Sequence, residues 1–247
     1  MSADAAPAAA SGWKGHPVLA WPRQAGPRLS CTTADSVSPR PTAAMPSTPH
    51  TIQCRCGQLQ GVLSSRARFT RLSCYCSDCQ AYARALGDAG QTLDALGGTD
   101  IVATLQQHVS FTQGADVLAC MSLSDNGLLR WYASCCNTPI GNTARNPKLS
   151  YVGLVHTCLG VSSASLDEAF GAERVVIHTQ HAQGSLKANA FGVLVSTVRI
   201  IRMVLWARLS GGWTRGPFFR SADFAPVASP RGLTDVAPHR GFPLSRE

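Results

Sequence analysis

Residues 116–136 read DVLACMSLSDNGLLRWYASCC. Apolar and polar residues alternate through DVLACMSLS, Asp125-Asn126-Gly127 is a turn signal, and GLLRWYAS returns as a second run of strand formers. Period-two alternation on either side of an Asn-Gly turn predicts an antiparallel hairpin. The hairpin ends on the adjacent thiols Cys135 and Cys136. Upstream, TIQCRCGQLQGVL at 51–63 also alternates, with Gly57 and Gly61 as bends. CQAYARALG at 79–87 is a short helix candidate whose last residue, Gly87, suits a left-handed cap. Strands dominate, so the expected fold is mainly β, α+β overall.

The C-terminal part follows a different period. Phe191, Leu194, Val198, Ile201, Leu205 and Leu209 recur at helical spacing and stop at Gly211-Gly212, which predicts one long helix. Val193, Ile200, Val204 and Trp206 make its other side apolar, so the expectation is a helix packed on both faces. Docking to a membrane surface or a partner helix is the lesser alternative. Arg199, Arg202 and Arg208 are expected to leave no run of the ~20 apolar residues that a membrane span needs, so no transmembrane segment is expected. GWTRGPFFRSADFAPVASPRG, after the helix, is expected to pack as irregular chain.

The chain has 247 residues, 45% hydrophobic and 15% charged, which excludes a disordered, collagen-like or coiled-coil protein. Its net charge of +8 divides unevenly. Residues 1–44 hold four basic and two acidic residues, 45–190 hold ten and nine, and 191–247 hold eight and three. The middle is almost neutral, and the C-terminal arginines lack the interleaved aromatics of a stacking platform, so no nucleic-acid partner is expected. Residues 1–44 are rich in Ala, Pro and Ser without a sustained period, and are expected to be a disordered tail, with Met45 as the functional start. The N-terminus lacks a basic region followed by an apolar core, so a cytoplasmic protein with reduced thiols is expected.

Reduced thiols make ten cysteines a question of metal binding. Seven fall into three clusters: Cys54 and Cys56; Cys74, Cys76 and Cys79; and Cys135 and Cys136. In an extended chain residues i and i+2 share a face, so C-x-C can present two thiolates to one ion, and C-x-x-C does so across a tight turn. A disulfide framework does not suit the compartment, a thioredoxin-like pair at Cys76 and Cys79 lacks its βαβ context, and the spacings match neither common ferredoxin pattern. Zinc is the expected metal, as one or two ions. Cys31, Cys120 and Cys158 stand alone and are expected in the tail or the core.

In this order the clusters resemble the family of glutathione-dependent formaldehyde-activating enzyme and centromere protein V. The carrying motifs are Cys54-Arg55-Cys56-Gly57, Cys74-Tyr75-Cys76-Ser77-Asp78-Cys79-Gln80, and the stretch from Arg130 through Cys135-Cys136-Asn137-Thr138-Pro139-Ile140. The resemblance covers about residues 50–160. It implies a small zinc-bound β domain of the Mss4-like, β-tent type, spanning about 46–165, with 166–247 as a C-terminal extension. It further implies that the outer pairs hold a structural zinc and that Cys74, Cys76 and Cys79 hold a second, catalytic zinc with an open position. The activity implied is that of a carbon–sulfur lyase acting on a small thiol or thiol adduct of the glutathione type. A non-catalytic zinc module binding thiols or a protein partner is the alternative.

One position departs from the family pattern. The first cysteine of the third cluster falls on Ala133 and the second on Cys136, with Cys135 as an addition. Adjacent strand residues point apart, which would leave the site three-coordinate, distorted or lost unless the chain lets Cys135 supply the fourth thiolate. The doubled cysteine is the expected substitute. A thiolate arriving at the triad needs cationic help, for which Arg84 and Arg130 are the nearest in sequence. His108 and His156 are the histidines to consider as bases.

Overall fold

The computed structural model describes residues 49–160 and 163–232. The expected tail at 1–45, including Cys31, lies outside the described residues.

Mixed α and β elements, mostly strands, make up the fold. In chain order they are β1 (His50–Gln53), β2 (Gln60–Leu63), β3 (Thr70–Cys74), α1 (Ser77–Ala85), α2 (Ala89–Thr92), β4 (Thr99–Leu105), β5 (Val109–Gln113), β6 (Leu118–Met121) and β7 (Leu129–Ala133). There follow β8 (Thr138–Thr143), β9 (Tyr151–Val155), α3 (Ser163–Phe170), β10 (Val175–Ile177) and α4 (Ala190–Leu209). A three-stranded sheet has the order β1-β2-β5, and a seven-stranded sheet the order β10-β3-β4-β9-β8-β7-β6.

The hairpin read from residues 116–136 is β6 and β7, paired from Leu118 with Ala133 to Met121 with Arg130. The alternating stretch at 51–63 is a second hairpin, β1 and β2, with Gly57 at a φ of 76° in its turn. Gly61 marks a register shift where β2 meets β5. A Cβ there would come within 2.4 Å of the Ser110 carbonyl oxygen, which explains a bare backbone at that point.

Inward-facing residues of both sheets form one core. Ile52, Leu63 and Val109 come from the small sheet, and Val102, Trp131, Ile140 and Leu154 from the large one. Trp131 is fully buried, and its indole N–H donates to the Thr143 hydroxyl at 3.0 Å. The expected irregular segment after α4 sends Phe218 and Phe219 into this core, their rings 5.2 and 6.4 Å from that of Trp131. Two ion pairs, Arg71 to Asp100 and Arg71 to Asp167, each 2.6 Å, join β3 to β4 and to α3. β10 pairs in parallel with β3, Ile177 opposite Cys74, so chain beyond residue 165 completes the sheet beside the triad.

Gly114 has a φ of 65°, and a Cβ on it would lie 2.1 Å from the Gln58 carbonyl oxygen. Gly114→Ala should cost at least about 2 kcal/mol, since it combines a strained left-handed backbone with a backbone clash. Gly90→Ala, in α2 with open space around it, is the matched control and should be neutral or slightly stabilising. Thermal melting of the two variants checks both.

The long C-terminal helix forms where the spacing predicts it. Asn189 caps it by accepting from the Gly192 N–H at 3.1 Å, and it ends before Gly211 at a φ of 70°. Packing on both faces does not occur. Met203 and Ala207 are its buried residues, lying against Leu105, with Ile200 and Val204 partly buried beside them. The stripe recognised from sequence, Phe191 through Leu209, points away from the protein. The sheet offers a single surface, so one apolar side finds a partner and the other does not. The arginines also interrupt the helix less than expected: by length and composition alone Ala190–Leu209 is sufficient to cross a bilayer.

Candidate metal centres

Two turns bring four cysteines together. β1 runs into a turn over Cys54–Leu59, in which the Gly57 N–H donates to the Cys54 carbonyl at 2.9 Å and the Leu59 N–H to the Cys54 sulfur at 3.2 Å. The C-x-C pair therefore converges through a turn and not through strand alternation. Cys135 and Cys136 occupy the tight connection between β7 and β8, closed by Asn137 at a φ of 54°, a conformation that asparagine tolerates better than most residues. Side-chain alternation governs extended chain only. In this turn both adjacent thiols face Cys54 and Cys56, which answers the doubt that Ala133 raised.

Sulfur separations are 3.5 Å for Cys54 to Cys56, 3.7 Å for Cys54 to Cys135, 3.3 Å for Cys56 to Cys135 and 3.8 Å for Cys135 to Cys136. All four sulfurs lie within 4.8 Å of one another. A tetrahedron with bonds of about 2.3 Å has edges of about 3.8 Å, so the donor set has the size and softness of a closed thiolate site. Surrounding groups tie the site to the fold. Arg55 donates from its backbone N–H to the Thr138 hydroxyl at 3.0 Å and from its guanidinium to the Cys136 carbonyl at 3.0 Å, and it pairs with buried Asp88. Burial acts to raise the Cys136 thiol, but hydrogen bonding to the Thr138 hydroxyl and to the Cys56 and Thr138 backbone brings it down to about 6. Burial pushes Cys54 and Cys135 up.

The triad is assembled locally. Cys74 ends β3, Cys76 is the N-cap of α1, and Cys79 lies in the first turn of that helix. Cys74 donates to Cys76 across 3.3 Å, and the Cys79 N–H donates to the Cys76 sulfur at 3.4 Å. The Cys76 thiol is accordingly lowered, first by the hydrogen bond from Cys74, whereas that same contact raises Cys74. A helix N-terminus adds its partial positive charge to the favour shown to Cys76 as thiolate. The three sulfurs lie within 4.8 Å of one another, and among the described residues no fourth His, Cys, Asp or Glu joins them.

Of the two arginines considered from sequence, the fold places Arg130 at the triad. Its side chain is 2% exposed, and its guanidinium donates to the Cys79 sulfur at 3.7 Å and lies 3.4 Å from the Asp78 carboxylate, above the Tyr82 ring. Arg84 is exposed and donates to Gln80. Neither histidine touches these sulfurs. The ring nitrogens of His156 each lie 3.2 Å from a backbone carbonyl, those of Asp100 and Gln91, and His108 is half-buried, its pKa lowered by burial. Tyr151 and Ile200 pack against the cluster that contains Cys74 and Cys79. Ile200 is the contribution of α4 to this cluster, a placement that helical spacing alone does not reveal. Cys120 and Cys158 are buried in the core, where burial pushes both thiols up to about 12.

The profile of a family of unknown function, DUF6151, matches residues 47–229. The chain belongs to this family. Its span takes in both sulfur clusters and continues through α4 into the aromatic segment that closes the core. No curated protein matches the chain. A solved structure of a Rhodobacter sphaeroides protein is similar at 16% identity, covering 51% of this chain and 98% of its own, with a TM-score of 0.35.

Proposed function

We propose that the protein is a zinc protein with one closed site at Cys54, Cys56, Cys135 and Cys136 and one open site at Cys74, Cys76 and Cys79, and that the open site binds a small thiol. The observation that carries this reading is the contrast between four convergent sulfurs and three, the three standing beside a buried arginine. Four thiolates complete a tetrahedron, whereas three leave a position for an incoming ligand. The resemblance to the formaldehyde-activating group supports the same division.

Zinc held by the triad would lower the pKa of an incoming thiol and keep it as thiolate. Three thiolates and Zn²⁺ sum to −1, and a fourth thiolate makes −2. Arg130 supplies the compensating charge from a buried position, where it is less screened than at the surface. With the sulfur anion stabilised, a hydroxymethyl thiol adduct can cleave. Its carbon–sulfur bond breaks with the electron pair passing to sulfur, the carbonyl forms, and the hydroxyl proton leaves to water. Tyr151 and Ile200 pack against the apolar cluster that contains Cys74 and Cys79 and give that side of the triad an apolar surround. The reaction class is thus a carbon–sulfur lyase acting on thiol adducts.

Zinc-loaded protein titrated with glutathione and with a simple alkane thiol should bind at least one of them at the triad. Cys76→Ser should lose that binding together with one zinc while the domain stays folded. A wild type that holds zinc and binds no small thiol removes the lyase reading. Unfolding of Cys76→Ser would instead assign the triad a purely structural role.

A further inference from the structure

Helix α4 carries an apolar face that the described residues leave uncovered. Phe191 is 75% exposed, Trp206 69% and Leu209 84%, and Leu194, Val198, Ile201 and Leu205 lie between them. At about 100° per residue these side chains fall within an arc of roughly 140°, opposite the buried pair Met203 and Ala207. Arg199 and Arg208 project from the two borders of the arc, and Arg202 from within it. The patch continues into an apolar groove of about 350 Å³, where Ile201, Val204 and Leu205 face Ala144, Leu149 and Tyr151.

Charge decides what covers this face. Among the described residues Lys187, Arg199, Arg202, Arg208 and Arg215 make no ion pair, whereas Arg174 and Arg220, at the two ends of this stretch, are already paired with Asp100 and Asp223. A second copy seated helix to helix on α4 would set Arg199, Arg202 and Arg208 against their own counterparts, with no carboxylate in the helix to pair them. An anionic lipid surface meets both requirements at once. Its acyl boundary takes the apolar arc, its headgroups take arginines whose stems lie along apolar surface, and Trp206 suits the interface. We propose that α4 docks the protein on an anionic bilayer, lying in the plane of the interface. A spanning arrangement would strip Met203 and Ala207 from Leu105, against which they are buried.

The test is flotation of the full zinc-loaded chain with phosphatidylcholine vesicles containing about one-quarter phosphatidylglycerol, beside vesicles of phosphatidylcholine alone. The protein should float with the anionic vesicles, partition onto neutral ones at least about tenfold more weakly, and lose binding as salt rises. Tryptophan emission should move to shorter wavelength on binding, and Trp206→Phe should remove most of that shift. The double variant Leu194→Glu with Leu205→Glu should keep its melting temperature and zinc content but bind at least about tenfold more weakly. Failure to float, or undiminished binding by the double variant, overturns the proposal. So does a self-associated wild type that the double variant converts to monomer, since the occupant is then a second copy. Resistance of the bound protein to extraction at alkaline pH overturns the interfacial placement in favour of a span.

Discussion

Cys54→Ser and Cys136→Ser should each abolish the cooperative melting transition of the native domain or lower its midpoint by at least about 10 °C. The four-sulfur site clamps the β1–β2 turn to the β7–β8 turn, and these turns lie some eighty residues apart in sequence. A metal there closes a long loop, which restrains the unfolded chain far more than a metal closing a short one. Structural zinc sites contribute apparent binding energies of about 10–16 kcal/mol, comparable to the whole stability of an ordinary domain. If removing one thiolate forfeits only about 5 kcal/mol of this, the midpoint falls by about 10–20 °C for a domain of this size. Cys76→Ser should be far milder. The triad spans six residues from Cys74 to Cys79, joins elements already packed through α1, and restrains little distant chain. Differential scanning calorimetry of the three variants, prepared without oxygen, reads the difference directly. A Cys136→Ser domain that melts like wild type would mean that Cys136 is not a ligand that the fold depends on.

Arg130→Met should weaken thiol binding by at least about tenfold and raise the apparent pKa governing that binding. The sign follows from charge. Arg130 favours the anionic sulfur, so its removal makes the thiolate harder to form, and binding that saturates at a given pH in wild type needs a higher pH in the variant. The same change should cost about 1–3 kcal/mol of stability, because it removes the donor that the buried Cys79 sulfur accepts from, while Asp78, more than half exposed, is solvated by water. Arg130→Lys separates the two effects. It keeps the positive charge and should recover most of the pH profile, though not the geometry of a guanidinium between Cys79 and Asp78. Measuring thiol affinity against pH for wild type and both variants checks this. An unchanged profile in Arg130→Met would show Arg130 to be packing alone.

Much of this was legible in the residues. Alternation around Asp125-Asn126-Gly127 located the hairpin that ends at Cys135, and the position of Gly87 located the end of α1, because turn and cap chemistry act within a few residues. The clustering of cysteines likewise groups the thiols that the fold brings together. What local rules missed lies at longer range. Strand alternation would point Cys135 and Cys136 apart, yet they sit in a turn, where neighbouring side chains can converge. The α4 stripe was assigned to the core by its period, but periodicity reports only that a face is apolar and never which surface it meets. The pairing of β10 with β3 and the packing of Ile200 against the cluster that contains Cys74 depend on chain a hundred residues or more from Cys74, and no motif spacing carries that.

As proposed, both sulfur clusters are metal sites, and they differ in kind. Zinc content per chain, measured on anaerobically purified wild type beside Cys76→Ser, tests it most directly. Two zinc ions in wild type and one in a still-folded Cys76→Ser is the predicted result. Fewer than one zinc per chain in wild type would contradict it.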